Sequence, residues 1–122
     1  MGSIDDGMTV RRSVLGPDHV DRANEATTDL DRAFQEWITE SIWGSIWTRD
    51  GIDLKTRSMI TIAILAALNH EELELHLRAA RNTGVSPSEI AEVLLHVAAY
   101  AGAPAGNRGF KIAKSLYDET AP

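Results

Sequence analysis

The sequence predicts an all-α fold, a single domain arranged as a six-helix bundle. Three observations carry this prediction. Apolar residues recur with a 3.6-residue period, glycine and proline divide the chain into helix-length segments, and one segment begins with a complete capping box. The length of 122 residues, with 43% hydrophobic and 25% charged residues, fits one globular domain and argues against disorder.

Charge and cysteine content exclude several classes of function. Twelve basic against 18 acidic residues give a net charge of −6 without a basic block, which argues against nucleic acid or an anionic membrane as the main partner. Cysteine is absent, so disulfides, zinc–thiolate sites and thiol nucleophiles are excluded. The longest apolar run, residues 59–68, is about half of what a bilayer requires, and nothing resembles a signal peptide. We therefore expect a cytoplasmic protein.

We place the domain at residues 8–122. Residues 1–7 are small and acidic, and a second methionine follows at position 8. This composition is typical of a disordered leader or of an expression-tag remnant. We expect these residues to take no part in the fold.

Turn residues and periodicity predict the first two helices. Gly16-Pro17-Asp18 opens the first, with Asp18 as the expected N-cap. The second covers residues 28–42, where the apolar side chains keep to one helical face, and Gly44 is its expected stop. Asp50-Gly51 marks the turn that follows.

The third helix is the hardest element to assign, because Met59–Leu65 has the composition of a buried strand. The apolar run continues to Leu68, which is too long for a typical strand, and Asp53 can cap a helix. We predict a helix over residues 54–68 that is buried nearly all round and is the most buried of the six.

The last three helices have clearer boundaries. The fourth runs from about residue 70 to 82 and ends at Gly84. Ser86-Pro87-Ser88-Glu89 is a capping box with proline at the first helical position, and it opens a fifth helix that stops near Gly102. Pro104 opens the sixth.

A candidate acid–base pair lies on the fourth predicted helix. Glu72 and His76 are four residues apart, so their side chains share one helical face. A carboxylate in that position raises the pKa of the imidazole and selects its tautomer, which suits proton transfer. The same spacing is also common on ordinary helix surfaces, and from spacing alone a structural role is the more frequent one.

Two further polar groups stand out beside apolar segments. His96 and Tyr100 form a second i, i+4 pair on the otherwise apolar fifth helix, which favours a pocket or a subunit interface, with two hydrogen-bonded core residues as the alternative. Arg57 precedes the apolar run of the third helix. A buried guanidinium there would require an anion, and an exposed arginine at a helix start is the equal alternative.

Metal and cofactor sites are not predicted. The four histidines are spread along the chain, and although Glu72 and His76 could supply two ligands, no third ligand completes a set. No glycine-rich phosphate loop and no nucleophile elbow is present. The tryptophans at 37, 43 and 47 have helical spacing, which favours core or interface positions over a ligand-stacking set.

From Val10 to about Tyr117 the chain resembles the carboxymuconolactone decarboxylase family. The resemblance spans nearly the whole chain in one order, and the segments that carry it are Arg11-Arg12-Ser13-Val14-Leu15-Gly16, Trp43–Arg49, Leu54–Ala63, Leu75–Val85, Glu89–His96 and Pro104–Asn107.

The resemblance points to a superfamily that also contains alkylhydroperoxidase D-like peroxidases. It implies that this chain has the helical fold of those proteins. His76 matches the histidine of their Cys-x-x-Cys-x-x-x-His motif. The two cysteine positions fall on Asn69 and Glu72, and the upstream relay glutamate falls on Arg57. Because a thiol peroxidase cannot work without thiols, the resemblance implies the decarboxylase branch.

The resemblance implies a cofactor-independent carboxy-lyase of protocatechuate (β-ketoadipate) catabolism that converts 4-carboxymuconolactone into 4-oxoadipate enol-lactone. It also implies a small-molecule site near subunit contacts of a homohexamer. We assign the catalytic roles to His76, Glu72 and Arg57, with His76 as the general acid. We assign substrate binding to Arg78, His96, Tyr100 and Asn107. Two alternatives stay open: an isomerase or cyclase of this fold acting on another lactone or polyketide, and a non-catalytic ligand-binding oligomer.

Two departures from the family pattern bear on the pocket. Ala101 stands where members often carry cysteine, and Ala105-Gly106-Asn107 stands where they usually have Ala-Ala-Asn. We expect both changes to alter pocket volume more than chemistry. We also expect an oligomer, because Trp43, Trp47, Phe110 and the apolar fifth helix offer more apolar surface than a domain of this size can cover.

Overall fold

The computed structural model describes residues 3–118, and this part of the chain contains seven α-helices and no strand. The all-α prediction is therefore confirmed at the level of fold class. The helices are α1 (Ile4–Leu15), α2 (Pro17–Ala26), α3 (Arg32–Trp37), α4 (Leu54–Ala67), α5 (Leu73–Thr83), α6 (Pro87–Ala101) and α7 (Ala103–Asp118). A π-helical segment, Ile38–Trp43, continues α3 directly. No helix within residues 3–118 is long and apolar enough to cross a bilayer.

The helix count of six is wrong for residues 3–118, because α1 was not predicted. Residues 4–7 form its first turn, although we expected them in a disordered leader. The Ser3 hydroxyl accepts a hydrogen bond from the Asp6 amide at 3.0 Å, which caps the helix. Gly7 is buried, and a side chain there would overlap the carbonyl oxygen of Thr39. The segment is thus ordered by packing that its polar composition does not reveal.

The chain divides into two compact units; unit 1 ends at Leu54 and unit 2 begins at Lys55. In unit 1, α1 packs against α2 and against the π-helical segment. Trp43 and Trp47 are buried, and their rings stack with centroids 4.8 Å apart. They are core residues and supply no exposed apolar surface, so that part of the oligomer argument is wrong. Trp37 is exposed and stacks on Phe34.

Two helices of unit 1 begin differently from the prediction. Pro17 occupies the first turn of α2 and Gly16 is its N-cap, so Asp18 lies inside the helix and does not cap it. The helix predicted from residue 28 begins at Arg32, because Thr28 and Asp31 form a hydrogen-bonded turn: the Thr28 amide donates to Asp31 Oδ1 at 2.8 Å. Leu30, in this turn, is 96% exposed.

Unit 2 holds a continuous apolar core between α4, α5, α6 and α7. Its buried residues are Ile62, Ala66, Leu73, Leu77, Ala80, Val85, Ile90, Leu94, Val97, Ala113 and Leu116. The ends of its helices follow the sequence signals. Gly84 ends α5 in the left-handed conformation, with φ 84°. Ser86 and Glu89 form the reciprocal capping box that opens α6, with hydrogen bonds of 3.1 and 3.0 Å.

Helix α4 is buried on one face only, and the prediction that it is buried nearly all round is wrong. Ser58, Ile62 and Ala66 are buried, whereas Ile60 is 46% exposed and Ile64 is 51% exposed. The apolar run covers both sides of the helix, but α5, α6 and α7 can cover only the side that faces them. The other side remains an uncovered apolar surface of the chain.

Helices α6 and α7 approach closely through glycines. A Cβ atom on Gly106 would lie 2.5 Å from the Cβ of Ala98, and one on Gly109 would lie 2.7 Å from Leu94 Cδ2. Gly106 is the position that departs from the usual family pattern. Its small size serves packing between α6 and α7.

Candidate active site on the second unit

All of the predicted site residues lie in unit 2. They are on α4, α5, α6 and α7, except for Glu72, which immediately precedes α5. His76 is on the first turns of α5, which begins at Leu73 and not at residue 70. Only 9% of His76 is exposed, and its Nδ1 atom is buried. Burial on the edge of an apolar face excludes water from the imidazole, which is the environment a positioned proton donor needs.

Glu72 is the N-cap residue of α5, and its side chain is exposed. The backbone links it to His76, since the His76 amide donates to the Glu72 carbonyl oxygen at 3.1 Å. This bond keeps the two residues one helical turn apart, as the i, i+4 spacing predicts. Because the carboxylate faces solvent, water screens its influence on the imidazole.

Arg78 does not share a face with His76. Residues two apart on an α-helix point to nearly opposite sides, and Arg78 is exposed where His76 is buried. Asn107, near the start of α7, is exposed as well. Arg78 therefore points away from the imidazole, and both of these candidate ligand-binding residues are exposed.

Arg57 is half-buried near the start of α4, and its Nε atom is inaccessible to solvent. Its carbonyl oxygen accepts a hydrogen bond from the Thr61 hydroxyl at 2.8 Å. Of the two alternatives for this arginine, the structure therefore favours a guanidinium that is partly withdrawn from water. A group in that position binds an anion more strongly than one on an open surface.

His96 and Tyr100 line an apolar groove of about 600 Å³ between α4 and α6. Their rings stack with centroids 4.9 Å apart, and Tyr100 is 85% exposed. The other lining residues are Thr56, Met59, Ile60, Ala63, Ile64, Ala67, Val93, Val97 and Ala101. The pair lies at the open rim of this groove, so the core alternative for it is wrong. His76, Glu72, Arg78 and Asn107 are not among the described residues that line the groove.

One charged residue of interest was missed by the sequence analysis. Arg11, in α1 of unit 1, is buried, and burial lowers its pKa. The sequence could have indicated this only through helical spacing, which places Arg11 on the same face as Val14 and Leu15, both of which are buried. The rule that a buried guanidinium requires an anion was applied to Arg57 and applies equally here.

A model of the carboxymuconolactone decarboxylase family matches residues 32–115, well over half of the chain. The chain belongs to this family. The resemblance noted in the sequence is therefore confirmed, and the match extends from α3 of unit 1 to the last turns of α7 in unit 2.

Three relatives place this family member among known proteins. A 4-carboxymuconolactone decarboxylase from Acinetobacter baylyi is 43% identical over 114 residues, which is 93% of this chain and 85% of the relative. A nitrosuccinic acid decarboxylase, npaB, from Metarhizium robertsii is 43% identical over 102 residues, which is 83% of this chain and 71% of the relative. An uncharacterized 15.0 kDa protein from Paracoccus denitrificans is 34% identical over 85 residues, 67% of this chain and 63% of the relative.

Proposed function

We propose that this protein is a carboxy-lyase that converts 4-carboxymuconolactone into 4-oxoadipate enol-lactone in protocatechuate catabolism, without a cofactor and in the cytoplasm. The observation that carries the proposal is the 43% identity to a 4-carboxymuconolactone decarboxylase over 93% of the chain. A match of that extent covers both units and every residue of the candidate site.

The proposed reaction uses the substrate as its own electron sink. CO₂ leaves from the carbon that bears the ring oxygen. The remaining electron pair spreads through the ring double bond into the lactone carbonyl and forms a dienolate. Protonation of the carbon next to that carbonyl gives the enol-lactone. The protein has to orient the substrate, stabilise the dienolate oxygen and supply one proton.

The buried imidazole of His76 is the proton donor in this proposal. Its low exposure favours a donor that transfers its proton to substrate and not to bulk water. Glu72 contributes less than its spacing alone suggests, because its carboxylate is exposed. Arg57 is the better of the two arginine candidates for the carboxylate that the substrate retains, since it is partly withdrawn from solvent and Arg78 is not.

His96 and Tyr100 can stabilise a developing negative charge only if water is excluded from them. In the single chain both are exposed at the rim of the apolar groove. We propose that a second copy of the chain covers this groove within a homohexamer. The exposed apolar side chains of α4 and α6, among them Ile60, Ile64 and Leu95, support this arrangement.

A second candidate function is decarboxylation of nitrosuccinic acid, because a nitrosuccinic acid decarboxylase is also 43% identical to the chain. The two acids share the chemistry that matters. Each carries two carboxyl groups, loses one, and places an electron-accepting group where it can take up the electron pair left behind. The larger aligned share of the chain favours the lactone, 93% against 83%.

The deciding experiment measures CO₂ release from each acid by the purified protein. We expect turnover of 4-carboxymuconolactone with a kcat/KM at least tenfold above that for nitrosuccinic acid. The reverse ratio would assign the second function. Absence of CO₂ release from both acids, with the protein folded and assembled, would contradict both and favour the non-catalytic or isomerase alternatives.

A further inference from the structure

The groove between α4 and α6 belongs to a continuous apolar face of unit 2. A recess of about 470 Å³ adjoins the groove, and Met59 and Val93 line both. An ion pair of 2.7 Å between Lys55 Nζ and Glu89 Oε2 joins the starts of the two helices. The ends of both helices line the groove as well, so α4 and α6 run side by side in the same direction. The large exposed side chains of this face are Ile60, Ile64, Leu95 and Tyr100.

One carboxylate and one imidazole on this face have no hydrogen-bond partner within residues 3–118. Glu92 lines the recess and is exposed, and it forms no hydrogen bond or ion pair there. His96 lies one turn further along α6, but its ring stacks on Tyr100 with the centroids 4.9 Å apart and forms no ion pair with Glu92. The other carboxylate in the lining, that of Glu89, is already paired with Lys55.

Any molecule that covers this face removes water from Glu92 and His96 together. A carboxylate that loses water without gaining a hydrogen-bond donor is strongly destabilised. The covering molecule therefore has to bring a donor to Glu92 and an acceptor to His96. A second copy of unit 2 brings both, because it carries the same two groups on the same face.

Net charge favours unit 2 of the second copy over unit 1 as the covering surface. Unit 1 has eleven acidic and five basic side chains and so carries the whole net charge of −6, whereas unit 2 has seven of each. Unit 1 of a second copy would bring further carboxylates towards Glu92, and like charges across an interface are unfavourable. Two copies of the electrically balanced unit 2 meet without this repulsion.

The positions of the two groups on α6 select the orientation of the pairing. If the α6 helices of two copies pack in parallel, Glu92 lies opposite the same carboxylate of the second copy. If they pack antiparallel, centred on the turn between Glu92 and His96, each carboxylate lies opposite an imidazole and the contact forms twice. The exposed side chains along this side of α6 have the spacing of a helix-packing seam in which only Leu95 is large: Ser88, Glu92, Leu95 and Ala99.

We propose that two copies of unit 2 pair antiparallel through α6, and that Glu92 of each copy positions the imidazole of His96 of the other. The carboxylate accepts a hydrogen bond from one ring nitrogen, which fixes the tautomer and leaves the other nitrogen for the ligand. This inference rests on the proposed function for the role of His96 and deepens it. The site is incomplete in one chain, and Glu92, a positioning residue that sequence analysis did not assign, completes it.

Cross-linking tests the orientation, and the chain is suited to it because it contains no cysteine. Leu95→Cys should form a disulfide-linked dimer on mild oxidation, because antiparallel packing brings the two copies of position 95 within disulfide range. Ser88→Cys is the matched control: the two copies of this position are about 18 Å apart along the helix axis and should not cross-link. Cross-linking of both variants would indicate parallel packing, and failure of Leu95→Cys would mean that another surface covers the face. Either result would overturn the proposal.

Mixed oligomers test whether the contact forms between copies. Glu92→Gln and His96→Gln should each lower kcat for CO₂ release at least tenfold, whereas Glu74→Gln, exposed in unit 2 outside this face, should stay within twofold of wild type. Co-expression of the Glu92→Gln and His96→Gln chains restores the contact wherever an intact His96 meets an intact Glu92. Random assortment gives about a quarter of the wild-type kcat. A contact within one helix gives no restoration, and that result would refute the proposed pairing.

Assembly provides a readout that does not depend on activity. Since each substitution breaks the same contact, the variant with both should dissociate at a concentration within about twofold of either single variant, and additive effects would count against the pairing. If wild type releases CO₂ from 4-carboxymuconolactone but Leu95→Cys does not cross-link, the inference is wrong and the proposed function stands. If Leu95→Cys cross-links and the substitutions are not additive, but wild type releases no CO₂, the pairing stands and the proposed function is wrong.

Discussion

Replacement of Gly106 by alanine tests how closely α6 and α7 must approach. The added Cβ would lie 2.5 Å from the Cβ of Ala98 and 3.1 Å from its Cα. An ordinary contact between such atoms begins near 3.4 Å. Neither neighbour is the flexible end of a long side chain, so the two helices themselves have to separate by about 1 Å to accept the new methyl group.

The magnitude follows from two opposing effects. Overpacking of a rigid contact costs about 3 kcal/mol, the upper end of the usual range. Alanine in place of glycine inside a helix returns about 1 kcal/mol. The free energy of unfolding of Gly106→Ala should therefore fall by about 2 kcal/mol, which for a chain of this size lowers the Tm by roughly 6–10 °C.

Thermal and denaturant unfolding of four variants measures this effect. Gly51→Ala is the matched control: nothing lies within 4 Å of its added Cβ, so its stability should equal or slightly exceed that of wild type. Ala98→Gly alone should cost about 1 kcal/mol. Combined with Gly106→Ala it should restore stability to within about 1 kcal/mol of wild type, because the methyl group has moved from one helix to the other. A Gly106→Ala protein as stable as wild type would refute the packing argument.

The remaining predictions concern the site, the assembly and a surface ion pair. His76→Ala should lower kcat for CO₂ release by roughly 10²–10⁴, the usual contribution of a positioned proton donor, with the oligomer intact; a near-normal kcat would make the histidine structural. Ile64→Lys should shift sedimentation from an oligomer towards the 13.3 kDa chain, whereas Leu30→Lys, at a more exposed apolar position outside the groove, should not. A hydrogen bond from Lys55 and the capping hydrogen bonds lower the pKa of Glu89 below its ordinary value of 4.5, so Glu89→Gln should lower the Tm at pH 7. Because the ionised carboxylate stabilises only the folded state, this difference should disappear as the pH falls below 4.5, and a difference that persists at low pH would contradict it.

Some features of the candidate site could be predicted from the sequence and others could not. The difference is whether a feature depends on residues that are close together or distant along the chain. The identity of the helix that carries His76, and its one-turn spacing from Glu72, depend on backbone geometry over four residues and were available from the sequence. The exposure of Glu72 depends on what packs against the N-terminus of α5, which no local pattern records. The opposite orientation of Arg78 and His76, by contrast, follows from their spacing of two residues on one helix and was available from the sequence.

The sequence by itself determined the helical class, the family, and the ends of several helices. The capping box at Ser86 and the left-handed glycine at Gly84 are local arrangements, because each satisfies backbone groups within one turn of the chain.

Only the tertiary structure decided which apolar and charged residues are buried. Helix α4 is apolar on two sides, and the positions of α5, α6 and α7 select the side carrying Ile62 for the core. The burial of Trp47, the contact of Gly106 with Ala98 and the withdrawal of Arg11 from water likewise depend on segments distant along the chain. Burial is a property of the packed chain. The sequence periodicity of a helix determines which residues share a face, but the neighbouring helices determine which face is removed from water.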